Sequence, residues 1–232
     1  LKTRSDIDAS KIGLMGHSEG GLVAPIVASQ HPADVGFIVL LAGPGLPGSQ
    51  IIMLQQELIG RASGASETEL ELGRRANEQI FAQVYKSKDP EVLRTEITNV
   101  LKTFIDEKPE IVPQGLSPEQ YISMQLSQLL TPWMLNFLTY DPVPALEKVR
   151  CPVLAINGEK DLQVPPKENL SKIAEALQKD GNKKVTTLEL TGLNHLFQEC
   201  ETGAPSEYAQ IEQTMSPKAL DAITGWLKKE VK

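Results

Sequence analysis

The stretch Ile12-Gly13-Leu14-Met15-Gly16-His17-Ser18-Glu19-Gly20-Gly21-Leu22-Val23-Ala24 decides how this chain is read. A short apolar run, Ile12 to Met15, enters a G-x-S-x-G pentapeptide at Gly16 to Gly20, and a helical pattern leaves it. A serine at such a strand-to-helix corner occupies a sharp, strained turn, where side chains two residues before and after it would collide with the neighbouring strand and helix. Glycines at positions 16 and 20 answer that crowding. The turn lifts Ser18 Oγ clear of the backbone and aims it at a helix N-terminus, where free N–H groups and the helix dipole favour developing negative charge. By chance the pattern arises about 0.1 times in a chain of this length, so its weight depends on what surrounds it.

Outward from the corner, Ile12 to Met15 reads as a strand, Ser18 to Gln30 as a helix stopped by His31-Pro32, and Val35 to Leu41 as a continuous apolar strand buried on both faces. Strand, helix and strand of this kind imply a parallel, right-handed unit. From about Ser49 to Leu146 the strand signal disappears. Ile97, Val100, Leu101 and Phe104 stand at i, i+3, i+4 and i+7, and Leu130, Trp133, Met134 and Phe137 repeat that spacing. The expectation is a helical lid or cap over 49–146, inserted into an α/β core formed by 1–48 and 147–232. Trp133, Met134 and Phe137, with His17, are candidates for lining a substrate pocket; for any one of the lid residues, packing of the lid onto the core is the favoured explanation. Pro152 to Ile156 and Val185 to Leu190 return as strands, with a helix at Pro166 to Lys179 between them and a last helix opened by Ser216-Pro217.

The bulk properties exclude several classes. The chain has 232 residues, 41% hydrophobic and 23% charged, which suits a globule with a sizeable core. A net charge of -7 argues against nucleic acid as a partner. No stretch is apolar enough for a membrane span, and Leu1 to Arg4 carry no signal-peptide core. Cys151 and Cys200 form neither a metal-ligand spacing nor a C-x-x-C pair and are expected to be free thiols, which leaves the compartment open.

A serine hydroxyl needs a histidine to take its proton and a carboxylate to hold that histidine's tautomer. Of the three histidines, His17 lies within the elbow and His31 at the far end of the next helix. His195, in a loop beyond the last strand, is the candidate base, because open α/β sheets place their sites at the strands' carboxyl ends. Asp161, in Asn157-Gly158-Glu159-Lys160-Asp161, is the candidate acid; Glu159 and Asp141 compete with it, and a plain turn-capping role would also explain Asp161. The backbone N–H of Glu19 is the candidate oxyanion donor.

With these residues placed, the chain resembles the C-terminal part of a bacterial α/β-hydrolase, of the carboxylesterase branch related to prolyl-oligopeptidase-like serine hydrolases. The likeness rests on GHSEGG at 16–21, FLTYDPVPAL at 137–146, NGEKDLQVPP at 157–166 and GLNHLFQ at 192–198. It implies an α/β-hydrolase sheet with a lid, a Ser18, Asp161, His195 triad, and hydrolysis of small acyl esters without cofactor or metal. Peptidase or acyltransferase chemistry would use the same triad. The resemblance also implies strands and an oxyanion loop ahead of the elbow, which this sequence does not contain. The first strand is then an unpaired apolar edge, suited to homo-oligomer formation or pairing with a separate half, and a catalytically weak or silent assembly module is the rival reading.

Overall fold

The computed structural model describes residues 1–231, which divide into two compact units, one of Leu1–Leu46 with the residues from Asp141 onward and one of Pro47–Tyr140. In chain order the elements are β1 (Leu14–His17), α1 (Gly20–Gln30), β2 (Ile38–Leu41), α2 (Gly48–Ala62), α3 (Glu67–Lys86), α4 (Pro90–Glu107), α5 (Pro118–Leu129), α6 (Pro132–Thr139), α7 (Val143–Leu146), β3 (Val153–Gly158), α8 (Pro166–Lys179), β4 (Val185–Leu190) and α9 (Pro217–Glu230).

In the first unit the four strands form one parallel sheet in the order β1-β2-β3-β4. Successive side chains of a strand point to opposite faces, and the two cores sort by that alternation. Ile38, Leu40, Val153 and Ala155 face α1, α7 and α8 through Ala24, Ala28, Leu146, Leu170, Ile173 and Leu177. Val39, Leu41, Leu154 and Ile156 face α9 through Ala219, Ile223 and Trp226. Every residue of β2 and β3 is buried, as continuous apolar runs between two helical layers require. The outer strands differ: β4 leaves Leu188 36% exposed, and β1 leaves Met15 52% exposed.

Ends of elements follow their capping chemistry. Ser216 accepts the Lys218 N–H at the start of α9, and Asp180-Gly181 ends α8 with Gly181 at φ +89°, a conformation costly for residues with a Cβ. β1 begins two residues later than its apolar run suggested and takes in Gly16 and His17, so the serine motif starts inside the strand.

The second unit is helical throughout, with a core of its own that includes Ile80, Phe81, Leu93, Ile97, Leu101, Ile122, Leu126 and Leu138. Capping boxes at Ser66/Glu69 and Ser117/Gln120 fix two of its helix starts. The 130–137 spacing does not mark one helix: α5 ends at Leu129, Thr131 caps the N–H of Met134, and Pro132 opens α6. A Thr-Pro pair stops one helix and starts the next by the same chemistry as Ser216-Pro217, and it outweighs the apolar period. The short α7, whose residues lay within the expected insertion, packs through Leu146 against the sheet unit. Among the described residues no helix is long and apolar enough to cross a membrane.

Candidate active site

At the end of β1 the chain turns at Ser18, whose φ of 53° puts a non-glycine residue in the left-handed region. The Ser18 N–H still donates to Leu41 O at 2.8 Å, so the corner is pinned to β2 before α1 begins with Glu19 as its cap residue. A Cβ on Gly16 would lie 2.0 Å from Gly20 O, and one on Gly21 would lie 2.5 Å from Gly43 Cα. At Gly20 a Cβ would meet nothing within 4 Å. The crowding expected on both sides of the serine is therefore found at Gly16 and Gly21, because Gly20 presents its Cβ direction outward from the elbow.

The acid and the histidine are brought together. His195 Nδ1 lies 2.8 Å from Asp161 Oδ2, with both side chains buried. A carboxylate can only accept, so the bond places the proton on Nδ1 and leaves the Nε2 lone pair available. Asp161 Oδ1 meanwhile accepts the backbone N–H groups of Gln163 at 2.9 Å and Val164 at 2.8 Å. The turn-capping role and the bond to histidine thus use different oxygens of one carboxylate. The competitors are engaged elsewhere: Glu159 accepts the Gly192 N–H at 2.8 Å, and Asp141 accepts the Val143 N–H at 3.0 Å. His31 is the C-cap residue of α1.

Several further residues, to which the sequence assigns no role, hold this arrangement. Buried Asn157 donates to Val164 O at 2.9 Å and, at 3.4 Å, to Asp161 Oδ2, while its own Oδ1 has no partner among the described residues. Buried Asn194 accepts the N–H groups of Leu196 and Gln198 and donates to Gln198 Oε1, closing the loop that carries His195. Gln198 in turn donates to Gln213 O at 2.8 Å. The only signal for them is asparagine and glutamine among apolar residues, which becomes meaningful once burial is known.

Gly158 shows how closely that loop crosses the sheet. A Cβ there would stand 2.2 Å from Leu193 O and 2.5 Å from Asn194 O, both backbone atoms. Gly158→Ala is expected to push the His195 loop away by roughly 1 Å, a misplacement that lowers turnover about 100-fold. Overpacking of this kind also costs about 1–3 kcal/mol. Paired measurements of kcat and melting temperature check both numbers.

Ser18 Oγ makes no hydrogen bond among the described residues, and it stands one peptide from His17, whose Nε2 is 2.8 Å from His195 O. Serine, histidine and acid all lie at the carboxyl end of the parallel sheet. Trp133, Met134 and Phe137 belong to α6 in the helical unit, where Trp133 and Phe137 stack with ring centroids 5.3 Å apart and Met134 packs against that unit's core. Both cysteines are free, and no cluster of metal-ligating side chains occurs among the described residues.

A parallel sheet between helices, with a strained serine after one strand and a bonded acid and histidine after the two that close the sheet, fits an α/β-hydrolase fold. No protein-family model matches the chain. It is 24% identical over 230 residues to Esterase EstD of Thermotoga maritima, a match that covers 99% of this chain and 45% of the relative. The chain thus spans a little under half the length of that protein. Among solved structures it is similar to VinJ, at 13% identity and a TM-score of 0.47, over 96% of this chain and 67% of that one. The esterase RhEst1 from Rhodococcus sp. ECU1013 gives 18% identity and a TM-score of 0.40, over 93% and 64% of the two chains.

Proposed function

We propose that this chain carries serine-hydrolase chemistry directed at carboxylic esters. The observation that carries the proposal is the buried Asp161–His195 bond, together with a serine held at positive φ at the same end of the sheet. In this reading His195 Nε2 takes the Ser18 proton as Oγ attacks the ester carbonyl, and Asp161 stabilises the imidazolium without itself being protonated. The Glu19 N–H, at the head of α1, receives the oxyanion. The proton on Nε2 then passes to the departing alcohol, and water, deprotonated by the same nitrogen, hydrolyses the acyl-enzyme. Esters are preferred to peptides or acyl acceptors as substrates because the curated relative is an esterase. Loss of fluorophosphonate labelling in Ser18→Ala tests the assignment, and comparison of p-nitrophenyl esters with aminoacyl amides tests the substrate class.

A second reading, association through β1, has its own observation. The N–H groups of Leu14 and Ser18 donate to Phe37 and Leu41 of the β2 side, so by alternation those of Met15 and His17 face the open edge. Open edges template pairing, and a lysine on one discourages it. The expectation is a mass above monomer by light scattering, falling toward monomer in Met15→Lys. A wild-type chain that remains monomeric across a dilution series removes this reading.

A further inference from the structure

We propose that His17 is a positioning residue for His195: its Nε2–H, donated to the His195 carbonyl, anchors the histidine loop to the strand that carries the serine. The proposal rests on the reading of His195 as the base.

β1 and β4 are opposite edges of the sheet, about 14 Å apart at three inter-strand spacings. The loop after β4 must therefore recross the ends of β3 and β2 to bring an imidazole to the end of β1. At β3 it is held by Lys160 N–H on Leu193 O at 2.9 Å, by the flat surface of Gly158, and by Asp161 on the ring itself. These contacts hold the loop at β3, two strands from the one that carries Ser18. On the β1 side it is anchored by His17, with Nε2 2.8 Å from His195 O. A carbonyl oxygen only accepts, so His17 Nε2 carries a hydrogen.

The rings add to the bond. Those of His17 and His195 lie 4.7 Å apart, tilted by 48°, and His17 meets Phe197 edge-on at 6.3 Å. Phe197 is itself fully buried and held at φ 60°, so this wall does not yield easily. Burial against it lowers the His17 pKa below the ordinary histidine range; the carbonyl bond and Asp161 act the other way, and His195 adds to the lowering. A neutral ring can donate here without placing a second positive charge beside the imidazolium that forms on His195. Because His17 directly precedes Ser18, one dipeptide both presents the nucleophile and sets its distance from the base. A glutamine at position 17 can reach the same carbonyl with its amide N–H, whereas phenylalanine keeps the ring contact and has no donor.

The test compares wild type, His17→Gln and His17→Phe, with His17→Met as a second donor-free variant in case the phenylalanine chain does not fold. Two readouts are taken: the downfield proton resonance of His195 Nδ1–H bonded to Asp161, and the rate of Ser18 labelling by a fluorophosphonate. The donor-free variants should broaden or lose the resonance and label about 10- to 100-fold more slowly, with kcat falling and KM within about twofold. His17→Gln should stay within about threefold of wild type. Unchanged resonance and labelling in the donor-free variants overturn the proposal, as does a glutamine variant as impaired as they are. If wild type fails to label at Ser18 while the resonance still follows the donor, the nucleophile assignment falls and the anchoring stands.

Discussion

Ser18→Ala is expected to abolish covalent labelling by a fluorophosphonate and to lower ester turnover by about four orders of magnitude or more, since nucleophile, base and acid act as a unit. Equal labelling of wild type and variant would remove Ser18 as the nucleophile. The same position makes a second, independent prediction about stability. Ser18 sits at φ 53° with its N–H on Leu41 O and its C=O accepting the Gly21 N–H, so the surrounding bonds hold a conformation that a residue with a Cβ resists. Alanine keeps that cost. Glycine relieves it, and Ser18→Gly should be as inactive as Ser18→Ala yet more stable by about 1 kcal/mol. For a chain of this size that is a rise of about 2–4 °C in melting temperature. An inactive glycine variant that melts below wild type would show that the corner stores no strain.

The strand-to-helix corner, the buried strands β2 and β3 and the helix α8 are each announced by local rules: glycine around a turn, unbroken apolar runs, a 3.6-residue period. That Asp161 and His195 meet follows from a similar rule, because loops after parallel strands share one end of the sheet. The break at Thr131-Pro132 was also written in the chain, but the apolar period of Leu130, Trp133, Met134 and Phe137 ran across it and hid it. What could not be read depends on sheet order. Only once β1 and β4 are known to be opposite edges does the path of the His195 loop require a flat Gly158 and an anchor at His17. Asn157, Asn194 and Gln198 are equally silent in sequence, since a polar residue becomes informative only when it is buried and its partners are known. Likewise, the steric need for glycine moved from Gly20 to Gly21 because it is set by the approach of α1 to Gly43 beyond β2.

Asp161→Asn separates the chemical role proposed for Asp161 from its structural one, because its two oxygens have different partners. Oδ1 accepts the Gln163 and Val164 N–H groups, so the asparagine oxygen must take that place, and its amide NH2 is forced into the position of Oδ2. Facing His195 Nδ1 at 2.8 Å, that group is a donor where an acceptor stood. The imidazole responds by moving its proton to Nε2, which can then no longer accept from Ser18. Asn157 Nδ2, 3.4 Å from the same position, also loses its acceptor. The loop caps survive, so the fold should persist with a cooperative melt, while labelling and ester turnover fall by about 10⁴-fold, the size of effect known when an asparagine imposes the wrong tautomer on a catalytic histidine. Asp161→Ala, by contrast, removes the caps as well and should lower the melting temperature together with activity. Labelling of the asparagine variant within about threefold of wild type would mean that Asp161 serves the turn alone and that the tautomer of His195 is set by some other group.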